Sequence, residues 1–150
     1  MSASNKAGRV SFDTLNFVMA ICRNPFQESP DFNKFLTVNE VGKRGWYIPA
    51  GAVEKNEDFR IAAMRECREE AGIDIELKGI LQINHTFAYA YEDNHKTRMS
   101  VIFYAEPTSI DMAHALKAEE DEQSLGAKWV TLDEIRQLKA NKLLRFDEPL

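Results

Sequence analysis

The stretch that most constrains this chain is RECREEAG, residues 65 to 72, where Glu66, Glu69 and Glu70 crowd into little more than one helical turn before a glycine. The spacing predicts a helix from about Glu57 to Ala71, with Asn56 as N-cap, Glu57 and Asp58 at its positive end and Gly72 as its C′ stop. At about 100° per residue, Phe59, Ala63, Cys67 and Ala71 make an i, i+4 stripe, the natural core-facing side. Glu70 then projects within about 20° of Ala63, Glu66 about 60° from it and Glu69 about 120°, so Glu69 is the most exposed of the three. Arg65, Arg68 and Asp58 project to the opposite side. A merely solvated face would carry all of its charges there, yet two glutamates border the packed side.

Carboxylates gathered at a partly desolvated edge repel one another and take up protons unless a cation compensates them. With both arginines pointing away, a divalent metal is the better compensator. Mg²⁺ and Mn²⁺ prefer hard oxygen ligands, and i, i+3, i+4 spacing lets one helix supply several of them. Ile61 projects outward from the same helix, onto a side that the C-terminal helix, a second subunit or nothing covers.

At 150 residues the chain is read as one domain, residues 1–150, with the first twelve expected to be flexible. The net charge of −5 argues against a nucleic-acid polymer as partner, since such binding needs clustered Lys and Arg. A small anionic ligand remains compatible if metal ions carry the positive charge. The opening MSASNKAGRVSF lacks an apolar core, and no later segment reaches membrane-spanning length, so a cytoplasmic protein without a membrane partner is expected. Cys22 and Cys67 are far apart in sequence and read as small core hydrophobes rather than a zinc or disulfide pair. His85, His95 and His114 have no partner spacing and read as ordinary histidines.

The remaining chain alternates short apolar runs with turns. TLNFVMAIC (14 to 22) predicts a buried strand, with KFLTVNEV (34 to 41) as its neighbour across a loop that holds two prolines. GWYIPAG predicts one short strand closed by Pro49 and Gly51. IELKGILQINHTFAYAY and RMSVIFYAEP form a predicted hairpin around EDNHK. AKWVT predicts a last strand, and Thr131 with Glu134 makes a capping box for an amphipathic C-terminal helix. Strands and helices mixed in this way give an α/β class with a mixed sheet.

GAVEKNEDFRIAAMRECREEAGI, Gly51 to Ile73, resembles the Nudix box: glycine, five residues, Glu, seven residues, Arg-Glu-aliphatic-x-Glu-Glu-x-Gly-aliphatic. Gly51, Glu57, Arg65, Glu66, Glu69, Glu70, Gly72 and Ile73 match, and Cys67 stands in the first aliphatic slot. Chance gives such a match on the order of once in a million sequences. WYIPAG before the box and AKWVTLDEI after it also resemble Nudix proteins.

The resemblance implies an α/β/α sandwich and metal-dependent hydrolysis of a nucleoside diphosphate linked to another group. It implies that Glu66, Glu69, Glu70 and the carbonyl of Ala50 bind Mg²⁺ or Mn²⁺, with Glu69 or Glu66 as the base. Glu57 and Arg65 would pair structurally, and Gly51 and Gly72 would serve backbone turns. The acidic run AEEDEQ lies where relatives place a further metal-binding acid, for which Glu120 is chosen among residues 119–122.

Phe17, Trp46, Phe87, Tyr89 and Tyr91 are candidates for stacking on a base. Tyr89 and Tyr91 lie near the place where dinucleoside polyphosphate hydrolases carry a tyrosine, and the proline after the box typical of ADP-ribose pyrophosphatases is missing. WYIPAG, RMSVIFYAEPT and EDEQSLGAKW resemble animal Nudix enzymes that clear 8-oxoguanine nucleoside diphosphates. A dinucleoside polyphosphate, ADP-ribose or nucleotide-sugar pyrophosphatase and a non-catalytic nucleotide-binding module are the alternatives. An isomerase of this fold needs a catalytic cysteine that has no place here. The small-molecule nucleotide would be bound by a monomer or a homodimer.

Overall fold

The computed structural model describes residues 11–40, 45–87, 96–117 and 124–140. The first strand, β1, runs over Asp13–Cys22 and alternates as its sequence requires: Val18, Ala20 and Cys22 are buried while Phe17, Met19 and Ile21 are half-buried. β1 pairs in parallel with β6 (Lys96–Pro107), from Asp13 opposite Lys96 to Cys22 opposite Ala105. β6 in turn pairs antiparallel with β5 (Ile75–Phe87), with irregularities between Leu77 and Gly79 and between Ile80 and Gln82. The short β4 (Ala50–Ala52) joins the other side of β1, giving the order β4-β1-β6-β5. This is the mixed sheet expected, and β5 and β6 form the expected antiparallel pair.

Two expectations about the first half are corrected. β2 (Phe35–Glu40) meets the end of β1 only through one antiparallel bridge, Phe35 to Arg23, and lies in a second sheet, between β3 (Trp46–Tyr47) and β7 (Ser124–Val130). Both partners of β1 are supplied by later segments, so its two edges are filled before β2 can use either. GWYIPAG likewise gives two strands rather than one. Trp46 and Tyr47 pair with Asn39 and Val38 in the second sheet, whereas Ala50–Ala52 pairs with Met19, Val18 and Phe17 in the first. Pro49 sits at the break, where it has no N–H to give a ladder, and its carbonyl accepts from Ala20 N–H at 3.0 Å.

The loop from β1 to β2 is held from within. The Ser29 hydroxyl, buried, accepts from Asn24 Nδ2 and from the N–H of Asp31, both at 3.1 Å, and lies 3.0 Å from His114 Nε2. With two donors already on its oxygen, the hydroxyl gives its own proton to His114. His114 is thus a structural latch, joined to a short helix that the sequence reading missed, α2 (Ile110–Ala113), capped by Ser109. Four residues are too few to show a helical period.

The long helix, α1 (Phe59–Ala71), begins two residues later than expected. Its N-cap is Asp58, whose carboxylate accepts from Ile61 N–H at 2.9 Å, while Asn56 sits in the left-handed turn before it with φ 69°. Gly72 ends the helix as predicted, with φ 77° and its N–H on Arg68 O, a conformation that disfavours any residue with a Cβ. α1 presents Ala62, Ala63, Cys67 and Ala71 to the core. Ala62 and Ala63 meet Val18, Val101 and Phe103 of the first sheet. Cys67 and Ala71 share a second cluster with Ala20, Cys22, Leu36, Val38 and Trp129, so α1 seals both sheets.

Cys22 and Cys67 are fully buried, and burial pushes both thiols above their usual range, in keeping with the core role expected of them. α3 (Leu132–Ala140) follows β7, with Thr131 Oγ1 accepting from Glu134 N–H at 3.1 Å. Residues 1–10 lie outside the described residues; Phe12 packs on Phe87 with ring centroids 6.0 Å apart.

The indole N–H of Trp129 donates to Ala113 O at 2.7 Å in the buried interior, tying β7 to α2. Trp129→Phe keeps most of the apolar volume but orphans that carbonyl. A loss of about 1–3 kcal/mol in urea unfolding is expected.

Candidate active site

The small side chains on the inner face of α1 let its backbone lie close to β4, and that closeness creates the site. Glu70, one residue before Ala71, is only 5% exposed, and its carboxylate accepts from Ala50 N–H at 3.0 Å. One turn earlier, the Glu66 carboxylate rests against Gly51. A Cβ built on Gly51 would stand 2.0 Å from Glu66 Oε1, so only glycine leaves the space the carboxylate occupies. The register agrees, since Gly51 pairs with Val18, a core residue beneath α1. Glu69 is the outermost of the three, with 36% side-chain exposure against 14% for Glu66.

Arg65 does not point away. Its Nε and Nη2 donate to the two Glu57 carboxylate oxygens at 2.7 and 2.8 Å, and its Nη2 also donates to Ala52 O at 2.9 Å. Nη1 donates to Glu66 at 2.9 Å and Glu69 at 3.1 Å. The helical projection fixes where the Cα–Cβ bond points, but the long side chain folds back to the carboxylates, which attract it. Arg68 does project outward and pairs with Asp74 at 2.9 Å.

The electrostatics follow from these contacts. Arg65 holds the Glu57 carboxyl below its usual range, helped by the Glu54 N–H, and Glu57 above all holds the guanidinium protonated. Burial pushes Glu66 the other way, and the charge of Glu69 adds to it, against the contacts with Arg65 and Glu70.

Among the described residues no three carboxylates, imidazoles or thiols converge as they stand on a point that would hold a metal ion. The donor set nevertheless suits a hard divalent cation: three carboxylates on one helical turn, and a glycine that gives one its seat. A cation drawing Glu66 and Glu69 inward would replace their contacts with Arg65 Nη1, leaving the guanidinium on Glu57 and Ala52.

The NUDIX domain family matches residues 18–148. This chain belongs to the Nudix family. Over 138 residues it is 36% identical to "Putative nudix hydrolase 1" of Caenorhabditis elegans, covering 87% of this chain and 32% of that protein. Over 99 residues it is 33% identical to the 8-oxo-dGDP phosphatase NUDT18 of Danio rerio, covering 66% of this chain and 27% of that protein. The chain thus spans about a third of the length of these curated relatives. The fold is that of a NUDIX hydrolase from Nitrosomonas europaea, at a TM-score of 0.63 and 24% identity over 89% of this chain and 82% of that one.

The other candidates of this Nudix chain divide. Phe17 lies opposite Ala52, on the sheet face away from α1, with the Arg98 guanidinium 4.1 Å from its ring centroid. Trp46 lies in β3, just before β4, with the Lys128 ammonium 4.2 Å from its ring centroid. The sequence reading missed both cations, since neither pairing has a local spacing.

Phe87 is not brought to the carboxylates. It stands on β5 at the opposite edge of the sheet, with β6 and β1 between it and β4. Tyr89, Tyr91, His95 and Glu120 lie outside the described residues. Lys117 is held at the C-terminal end of α1: its N–H donates to Ala71 O at 2.8 Å, its ammonium donates to Glu69 O, and Ala127 N–H donates to Lys117 O at 2.9 Å.

Two outcomes test this geometry. Gly51→Ala must displace the Glu66 carboxylate while leaving the core intact, so its circular dichroism should match the wild type and its Mn²⁺ affinity by electron paramagnetic resonance should fall at least ~10-fold. Glu57 has a lowered pKa, so its bond to Arg65 stabilises the fold above the ordinary glutamate range and is lost as pH falls through the lowered value. Glu57→Gln should therefore melt earlier than the wild type at neutral pH, with the difference closing below about pH 4.

Proposed function

We propose that this chain is a metal-dependent hydrolase that cleaves the diphosphate linkage of a nucleoside diphosphate derivative, with oxidised guanine nucleotides of the 8-oxo-dGDP type as the preferred class. The observation that carries the reading is the intact carboxylate turn seated on Gly51 and the Ala50 N–H. A module that only bound nucleotides would have no use for three carboxylates held in mutual repulsion. The substrate class is supported by the NUDT18 relatives from Danio rerio and Homo sapiens, both named 8-oxo-dGDP phosphatases.

In this reading Glu66, Glu69, Glu70 and the Ala50 carbonyl hold Mg²⁺ or Mn²⁺, and Glu120 is a further ligand. The metal supplies charge neutralisation of phosphate oxygens and a lower pKa for bound water. Glu69 acts as base, with Glu66 as the other candidate. Glu69 is the most exposed of the three, so that a water attacking phosphorus in line can reach its carboxylate once the metal has replaced its contact with Arg65. The water oxygen forms the new P–O bond, its proton passes to the carboxylate, and the bridging anhydride oxygen leaves with the departing phosphate. Glu57 and Arg65 are positioning residues: they tie the loop before the helix to the carboxylate turn. Phe17 and Trp46 flank the Ala50–Ala52 strand and are assigned to the base.

Turnover should be measured with Mg²⁺ on 8-oxo-dGDP, dGDP, diadenosine polyphosphates, ADP-ribose and nucleotide sugars. Hydrolysis of 8-oxo-dGDP is expected to exceed that of the others, with kcat at least ~100-fold lower in Glu69→Gln. Preference for a dinucleoside polyphosphate or ADP-ribose would move the substrate class. Binding without turnover of any of them would sink the hydrolase.

A further inference from the structure

Arginines on an acidic chain find carboxylates. Arg23, Arg60, Arg65, Arg68 and Arg136 each have one, in Glu106, Asp58, Glu57, Asp74 and Asp133. Arg98, the remaining arginine among the described residues, has none there, although it is exposed on a chain of net charge −5. Its guanidinium instead lies 4.1 Å from the centroid of the Phe17 ring and covers one face of it. A base cannot stack on that face while the guanidinium is there.

The register explains the pairing. Leu15 stands opposite Arg98 and Phe17 opposite Ser100, which makes Phe17 and Arg98 diagonal neighbours across β1 and β6. Both lie on the sheet face turned away from α1, because Val18 and Val101, of opposite alternation on the same strands, are buried beneath the helix. Ala52 stands opposite Phe17 on the other flank, and the residue before it, Gly51, seats Glu66. β4 is the outer strand of the sheet and consists of Ala, Gly and Ala, so its edge is low enough for a ligand to lie across it, with one end near Arg98 and the other near the carboxylates.

Resting on the nucleotide reading above, we propose that Arg98 is the platform for the nucleobase, which stacks on the outer face of its guanidinium, and that Phe17 acts on the base through Arg98 by holding that plane. A guanidinium is flat and weakly hydrated, and it stacks on π systems. The surroundings favour a base over a phosphate here. Thr86, Ser100 and Asn84, its neighbours on the same face, are neutral, and Lys96, the next cation along β6, is bound to Asp13 at 3.3 Å. Asn84 accepts from the Gln82 amide at 2.9 Å, which leaves its own N–H groups for the edge of a base.

The test is calorimetric titration with 8-oxo-dGMP, with AMP and with 2-deoxyribose 5-phosphate, which has no base. None of these has an anhydride to cleave, so binding is read without turnover. Arg98→Leu, with circular dichroism as the check on folding, should lose at least ~10-fold in affinity for the tighter-binding nucleotide and keep its affinity for the sugar phosphate. Arg98→Lys keeps the charge without the plane and should stay at least ~5-fold weak. Arg98→Gln replaces the leucine variant if that one folds poorly. Phe17→Leu should weaken nucleotide binding in the wild-type background and cost nothing further beside Arg98→Leu.

Nucleotide affinity undiminished in the folded Arg98 variants would overturn the proposal, as would an equal loss for the sugar phosphate, which marks a phosphate contact. Equal costs of Phe17→Leu in both backgrounds would return the base to the ring itself. A wild type that binds neither nucleotide at about 1 mM would also overturn it. The hydrolase reading is decided separately: turnover of 8-oxo-dGDP with unchanged Arg98 variants removes the platform and keeps the enzyme, whereas Arg98-dependent binding without turnover does the reverse.

Discussion

The guanidinium of Arg65 is the contact on which the rest of the site depends. Five hydrogen bonds converge on it, to both oxygens of Glu57, one each of Glu66 and Glu69, and the carbonyl of Ala52, and the Glu54 carboxylate lies 3.6 Å away. The planar fork can serve so many acceptors because its donors point in fixed directions, which a lysine ammonium could not reproduce. It binds three parts of the chain at once: the loop before α1, the helix itself and β4. The position of Gly51 beside Glu66 is thereby held from both sides, and the carboxylates stay together although burial and mutual charge push them apart.

Close approach of helix to sheet is the second condition. Ala62, Ala63, Cys67 and Ala71 are small, and each is nearly or fully buried. A leucine in that stripe would raise α1 off the sheet, and Glu70 would no longer reach the Ala50 N–H. The modest size of these core side chains is thus tied to the chemistry of the next residue along the helix. Burial of Glu70 would be costly alone; the Ala50 N–H that donates to its carboxylate offsets part of that cost.

Much of this was legible in the sequence because it is local. The helix and its glycine stop, the graded burial of Glu70, Glu66 and Glu69, the Glu57–Arg65 pair and the two core cysteines all follow from spacing or from the box. What was not legible depended on distant partners. Nothing in KFLTVNEV says that β1 will spend both its edges on β4 and β6, so β2 looked like its neighbour. Asn56 and Asp58 are both good caps, and only the left-handed turn at Asn56 decides between them. The projection sent Arg65 to the outer side, whereas its guanidinium lies on Glu57, Glu66 and Glu69, because a long side chain follows its charge partners rather than its helical position. Ser29 and His114, or Phe17 and Arg98, meet through folding across 85 and 81 residues, without any periodic sign.

The two edges of the first sheet have opposite characters. β4 is short, follows Pro49, and has its backbone committed to Glu70 and Arg65; pairing a strand there would obstruct the carboxylates. β5 is long, neutral and apolar, and lies three strands away.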